Sequence, residues 1–278
     1  MPGKLYLCAT PIGNLKDITI RVLDTLKEAD LVAAEDTRRT RRLLTHFGIE
    51  KKLISFHDHN EQQVLPRLIG ELRQGKSIAQ VSDAGTPGIA DPGHRLVKAA
   101  VEAGIDIEVL PGPTALITAA VLSAFPTDDI RFLGYPPKKA GARGRLLAGL
   151  ADEPSTLVFY ESPHRILATL ADIAGIFGGR PVFVARELTK LFEEHLRGSA
   201  ADVAARLEER PEIKGELVLV VAGRRERPSL DESGILEAVA EEISAGRSKS
   251  DAVKEVARRY GLSRRLVYER THGTSDRD

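Results

Sequence analysis

Five times in its first 125 residues the sequence repeats one transition: a short apolar run gives way to a loop and then to a stretch with helical spacing. The fullest instance is Val81-Ser82-Asp83-Ala84-Gly85-Thr86-Pro87-Gly88-Ile89-Ala90-Asp91-Pro92-Gly93, entered by the run 77–81 and left by a helical pattern from His94. Glycine admits left-handed or crowded backbone and proline fixes φ, so together they hold a loop in one shape. A strand-to-helix turn needs only a few residues. A long shaped loop at the carboxyl end of a strand is instead where open α/β sheets bind ligands.

The other runs fix the architecture. Strands are expected at 5–9, 31–34, 53–56, 77–81 and 106–110, with helices at 21–29, 38–44, 61–74, 94–103 and 115–123. That alternation predicts an α/β domain with a mainly parallel sheet. The pattern pauses at 125–129. Beyond it, strands at 131–134, 156–160, 182–185, 195–198 and 216–222 share the chain with helices at 165–177 and 200–210. Neighbouring strands with no helix between them predict antiparallel pairs, hence a second, mixed α/β domain. After a charged linker at 224–229 come three short helices at 235–244, 249–260 and 263–270. The expected domains are 1–125, 126–224 and 225–278.

Composition excludes more than it selects. Among 278 residues, 40 basic side chains balance 40 acidic ones, so only local patches can argue for a polyanionic partner. The single cysteine, Cys8, excludes an intrachain disulfide framework and a cysteine-cluster zinc site. His57 and His59 are the one close histidine pair, and no metal is expected. No apolar run approaches the roughly 20 residues of a membrane span. The opening residues Met1-Pro2-Gly3-Lys4 lack a signal-peptide pattern, so the expected location is the cytoplasm, away from membranes. Gly70-Glu71-Leu72-Arg73-Gln74-Gly75-Lys76-Ser77 fits the P-loop pattern by letter, but it leaves a helix and feeds a strand. That inverts the order a phosphate needs, so the match is false.

Several loops follow predicted strands and so share one sheet edge. Thr10-Pro11-Ile12-Gly13-Asn14-Leu15, Ala34-Glu35-Asp36-Thr37-Arg38, the loop 82–93, Pro111-Gly112-Pro113-Thr114-Ala115, Glu161-Ser162-Pro163-His164-Arg165 and Ala185-Arg186-Glu187-Leu188-Thr189-Lys190 stand in that order. Together they resemble the tetrapyrrole methylase superfamily, over about residues 4–223. The central loop carries Ala84-Gly85-Thr86-Pro87 where porphyrin-type members have Gly-Gly-Asp-Pro, which places the resemblance in the RNA-directed branch.

The resemblance implies S-adenosyl-L-methionine in a cleft between the two α/β domains, and a homodimer. It implies 2′-O-methylation of a cytidine ribose in 16S ribosomal RNA, on the free RNA or in the small subunit. The implied cofactor contacts are Pro11, Ile12, Asp83, Ala84, Gly85, Thr86, Ile89, Thr114, Ala115, Phe159, Tyr160, Glu216 and Leu217. A methylase of a tetrapyrrole or other small substrate, and a ligand-sensing DNA-binding regulator, stand as alternatives.

Methyl transfer needs the nucleophile in line with the bond that breaks, so much of its catalysis is positioning. A ribose hydroxyl is a poor nucleophile and gains from a base, or from a cation that favours its alkoxide. Glu35, Asp36, Glu161, Glu187 and Lys190 lie beside strand ends and are the candidates. Arg38, Arg39, Arg41 and Arg42 form one basic patch. Lys138 and Lys139, with Arg143 and Arg145, form another in an expected loop, and Arg165 and Arg186 are further candidates for phosphate contact.

The segment 249–270 reads as a helix-turn-helix-like nucleic-acid-binding element. Ala252, Val253, Val256 and Ala257 give its first helix an apolar face, Gly261 supplies the turn and Ser263 the cap. Seven basic and three acidic residues give it a net charge of plus four, and Arg264 and Arg265 open its second helix.

Overall fold

The computed structural model describes residues 3–224, 232–260 and 262–272. A first sheet contains β1 (Lys4–Cys8), β2 (Leu31–Ala34), β3 (Leu53–Ser55), β4 (Ile78–Val81) and β5 (Asp106–Leu110) in the order β3-β2-β4-β1-β5. Every pairing in it is parallel. β2 and β4 are buried along their whole length, as strands covered on both faces must be.

The period-two alternation of these strands feeds two cores. Leu5, Leu31, Ile54 and Ile78 pack with Leu68 and Leu72 of α3 (Glu61–Arg73) and with Leu96 and Ala100 of α4 (His94–Glu102). On the other face Cys8, Val32, Ala79 and Val81 meet Val22 and Leu26 of α1 (Ile20–Glu28) and Leu44 of α2 (Thr37–His46).

A second sheet is built from β6 (Ile130–Phe132), β7 (Thr156–Glu161), β8 (Pro181–Arg186), β9 (Glu194–Ser199) and β10 (Leu217–Val221), in the order β6-β7-β10-β8-β9. β10 runs antiparallel to both neighbours, and β8 and β9 are antiparallel. β6 and β7, expected as antiparallel, are parallel. The reason is α6 (Ala140–Ala148), which forms where a loop was expected. A parallel pair needs a crossover connection, and α6 supplies it. Gly141 and Gly144 had masked its helical pattern. Arg143, read as part of an open basic patch, is instead buried in α6 and paired at 2.6 Å with Asp172 of α7 (Ile166–Phe177).

α5 (Ala115–Ser123) couples the halves. It follows the last strand of the first sheet, yet its Ala119 and Ala120 pack against Val158, Phe183, Ala185, Val218 and Val220 of the second. Ile12, from the loop after β1, joins the same cluster.

The tail has its own core. Beyond α8 (Ala200–Glu208) and β10, the helices α9 (Glu232–Ser244), α10 (Lys249–Tyr260) and α11 (Arg264–His272) bury Ile235, Val239, Val253, Val256 and Val267 together. The Ser263 hydroxyl accepts the Leu266 N–H at 3.1 Å. Gly261 and linker residues 225–229 lie outside the described residues. No helix among the described residues is long and apolar enough to cross a membrane.

Candidate functional site between the two sheets

The loops after β1 and β4 are one unit. Thr10 and Gly85 form an isolated antiparallel bridge, the Thr10 hydroxyl donates to the Ser82 carbonyl at 3.1 Å, and the Ser82 hydroxyl donates to the Gly85 carbonyl at 3.1 Å. The bridge demands φ +85° at Gly85, a conformation that favours glycine.

The ends of β2 and β4 are clasped in the same way. The Asp36 N–H donates to Asp83 Oδ1 at 2.9 Å, and the Asp83 N–H donates to Glu35 Oε2 at 3.2 Å. After β5, Gly112 passes so close to β1's end that a Cβ would lie 2.8 Å from that of Ala9. In the second domain, the loop after β8 holds Glu187 at φ 54° and Thr189 at φ 65°, left-handed values that non-glycine residues rarely adopt. This loop abuts Gly13, whose added Cβ would fall 2.5 Å from Lys190 Cγ.

Between these loops lies a cavity of about 450 Å³ with walls from both sheets. The first domain contributes Ile12, Glu35, Arg39, Asp83, Ala84, Gly85, Thr86, Ile89, Thr114 and Ala115, and the second contributes Tyr160, Glu161, Glu216 and Leu217. Pro11 faces a separate hollow with Arg42 and Leu43, and Phe159 is wholly buried in the core. Adjacent residues of a strand face opposite sides, so only one of Phe159 and Tyr160 could reach the cleft. That signal was in the sequence. Asp91, Tyr135, Leu188, Gly215 and Val218 also line the cavity and were not singled out. For Asp91 the sequence marked the loop but not which carboxylate turns inward.

The charged candidates differ in their surroundings. Glu161 borders the cavity with its carboxylate fully engaged. It accepts the Ser162 N–H at 2.8 Å and the Thr169 hydroxyl at 2.7 Å, and pairs with Arg165 at 2.6 Å. Arg165 also donates to the Pro136 carbonyl at 3.0 Å, so it ties loops together. Arg186 is held by Glu194 at 2.9 Å and by the Lys214 carbonyl at 3.1 Å, away from the cavity.

Glu187 accepts from Lys190 at 2.7 Å and from the Glu216 N–H at 2.9 Å, and Lys190 also reaches Glu216 at 3.0 Å. Burial acts to raise the Glu187 carboxyl, but those hydrogen bonds leave it below the usual range. Burial acts to lower Lys190, but its hydrogen bonds to Glu187 and Glu216 outweigh that and raise it, so it stays cationic. Asp36 caps α2, and hydrogen bonds from the Arg38 side chain and N–H lower it to about 2. Two carboxyls move the other way. Burial, reinforced by Asp83, raises Glu35 against the Asp83 N–H hydrogen bond. Burial and then repulsion from Glu35 push Asp91 up to about 7, although a hydrogen bond with Ser82 opposes the shift.

Basic side chains stand outside this acidic cavity. Arg38, Arg41 and Arg42 are exposed on α2, with Arg39 pairing with Asp83 at the cavity wall. Lys138 and Lys139 are exposed just before α6. Arg264 and Arg265 border a groove in the tail with Lys249, Lys254 and Tyr268.

The cavity can house a cofactor of S-adenosylmethionine's kind. Its volume suits a small-molecule site. Ile12, Ala84, Ile89, Leu188 and Val218 offer apolar walls, while Glu35, Asp83 and Glu216 match a group that carries sulfonium and ammonium charges.

Comparison with known proteins gives the same frame. The family model for tetrapyrrole (corrin/porphyrin) methylases matches residues 4–204. A protein of Streptococcus pyogenes serotype M1 named ribosomal RNA small subunit methyltransferase I is 45% identical over 273 residues, covering 97% of this chain and 95% of that one. Among solved structures, the methyltransferase CobJ superposes with a TM-score of 0.62 at 20% identity, over 81% of this chain and 97% of its own. A uroporphyrin-III C-methyltransferase of Thermus thermophilus, solved with S-adenosylhomocysteine, gives 0.56 at 17% identity, over 78% and 97%.

Proposed function

The chain belongs to the tetrapyrrole methylase family, and from that premise we propose that it is an S-adenosylmethionine-dependent methyltransferase acting on small-subunit ribosomal RNA, at the 2′-hydroxyl of a cytidine ribose. The observation that carries the reading is the near-full-length match to a relative named for that class of substrate. The geometry supports it through the contrast between an acidic cavity and its basic surroundings. A cationic cofactor is attracted inside, and a polyanion is attracted to Arg38, Arg41, Arg42, Lys138 and Lys139 outside.

When bound, the cofactor supplies a methyl group activated on a sulfonium. Ile12, Asp83, Gly85, Thr86, Thr114, Ala115 and Leu217 would hold it, since they bring apolar surface and backbone from both domains to one cavity. Tyr160, backed by Phe132 at 4.9 Å between ring centroids, forms the facing wall. Enclosure by two domains excludes water and fixes the approach of a substrate oxygen.

The remaining parts of the proposal are a cytoplasmic homodimer and a tail at 225–278 that grips nucleic acid. α5 is apolar around its whole circumference, and its Ile117 and Val121 stay exposed in the single chain, which supports a subunit contact there.

The test uses labelled S-adenosylmethionine with small subunits, and separately with free 16S RNA, from cells lacking this gene. Nuclease digestion and mass spectrometry locate the label. A methyl on one cytidine ribose is the expected result. Cofactor binding without transfer to either RNA would overturn the reading and return a small-molecule substrate to first place.

A further inference from the structure

We infer that the carboxylate of Asp91 receives the proton of the ribose hydroxyl during methyl transfer, an inference that rests on the RNA methyltransferase reading. Asp91 lies at the far end of the 82–93 loop, on the cavity wall, and faces Tyr135 and Tyr160 of the second domain. Its charge reaches both phenols. Burial raises them, hydrogen bonds from the Leu116 N–H and the Thr114 side chain oppose that at Tyr160, and Asp91 adds to the rise at both.

Its backbone is held from either side. Ala90, just before it, sits at φ 59°, a left-handed conformation that strains a non-glycine residue and that clusters at functional sites. Just after it, the Pro92 carbonyl accepts from Gln80 Nε2 at 2.8 Å. Gly93, at φ 145°, lies so close that a Cβ would sit 2.6 Å from that nitrogen. A strained residue on one side and a buried amide on the other keep this carboxylate at the wall.

Elimination leads to the same residue. Glu161 has its oxygens occupied by Ser162, Thr169 and Arg165. Glu187 and Glu216 share Lys190, Asp36 caps a helix beside Arg38, and Asp83 holds the Asp36 N–H and Arg39. Glu35 is engaged by the Asp83 N–H. Asp91 has one hydrogen bond, with Ser82, and lies near Glu35, Asp83 and Asp58 of its own domain and the two phenols of the other, while Arg39, the cation on the same wall, pairs with Asp83. Burial and that acidic company bring it to about 7, so near neutral pH it is both present as carboxylate and able to hold a proton. In the reaction the ribose oxygen bonds to the methyl carbon, the carbon–sulfur bond breaks with its electron pair moving to sulfur, and the hydroxyl proton passes to Asp91.

The test has two parts. In the unliganded full chain, carbon-13 NMR titration of Asp91 should give a midpoint near 7 that falls in Glu35→Gln. A wild-type midpoint in the ordinary carboxylate range would overturn the inference without using any variant. With small subunits and labelled cofactor, Asp91→Asn should lower kcat by about 10²–10⁴-fold and remove the rise of kcat through neutral pH, with cofactor Kd unchanged within about threefold. Retained turnover, or a loss that parallels lost cofactor affinity, would overturn it. If wild type itself transfers no methyl to RNA, the RNA reading fails instead.

Discussion

Thr10 and Gly85 exchange both of their backbone hydrogen bonds, at 2.9 and 3.0 Å, and so weld the loops that follow β1 and β4. These strands are neighbours in the sheet although 72 residues separate Thr10 from its second partner, Ser82. The weld brings Ile12 and the Asp83–Gly85 turn to one cavity wall. Gly85→Ala places a side chain at φ +85°, where its Cβ would meet Ile12 and the Pro113 carbonyl only at ordinary contact distances. Backbone strain is therefore the main effect, about 1 kcal/mol of stability. The same loop lines the cofactor cavity, so affinity for S-adenosylmethionine should fall by about tenfold. Chemical denaturation and titration calorimetry measure both, and unchanged affinity would show that the weld does not shape the cavity.

Glu161 was a catalytic candidate, and its surroundings predict a structural phenotype. Its carboxylate is wholly buried against Arg165, which is 20% exposed at the side chain. Removing one partner of such a pair leaves an uncompensated charge, so Glu161→Ala should cost about 3 kcal/mol. The check is the urea midpoint, read beside kcat at a temperature where the variant is folded. A folded variant with normal stability and no turnover would return Glu161 to the chemistry.

Much of the frame was legible because strand and helix periods are local. The runs around Leu5, Leu31, Ile78 and Ile107 each carried their own signal. Sheet order was not local. Nothing in the sequence places β4 between β2 and β1, and that placement sets Asp83 beside Glu35 and Asp36. The roles of some charged residues were hidden for the same reason. Arg143 read as an open cation until Asp172 arrived from 29 residues on, whereas Glu161 and Glu194 stand close in sequence to Arg165 and Arg186 and were themselves a legible signal of pairing. Asp91 was overlooked because a loop's composition shows that it is shaped, not where each side chain points.

The acidity of Asp91 carries a consequence for stability. Its carboxyl is raised in the folded state, so the folded chain binds that proton more tightly than the unfolded chain. The resulting stabilisation is present below the unfolded value of about 3.9 and is lost as pH rises toward about 7. Asn mimics the protonated acid. Asp91→Asn should therefore raise Tm clearly at pH 8 and much less at pH 5, as differential scanning calorimetry would show. An equal shift at both values would mean that burial of charge at Asp91 does not burden the fold.

The tail separates RNA affinity from chemistry. Arg264 and Arg265 border a groove of about 500 Å³ with Lys249, Lys254 and the half-exposed Tyr268. Arg265 pairs with Glu269 at 2.7 Å but remains 87% exposed at the side chain, so the pair is screened and open to exchange for a phosphate. The tail buries its own core, far along the chain from the residues that line the cavity. The double variant Arg264→Glu, Arg265→Glu should leave cofactor Kd unchanged and weaken binding to the small subunit. Because each lost phosphate contact removes about one released counterion, the slope of log K against log salt should shrink by about two. Fluorescence anisotropy over a salt series gives that slope. An unchanged slope would make the three helices a structural appendage and leave RNA capture to the arginines of α2 and to Lys138 and Lys139.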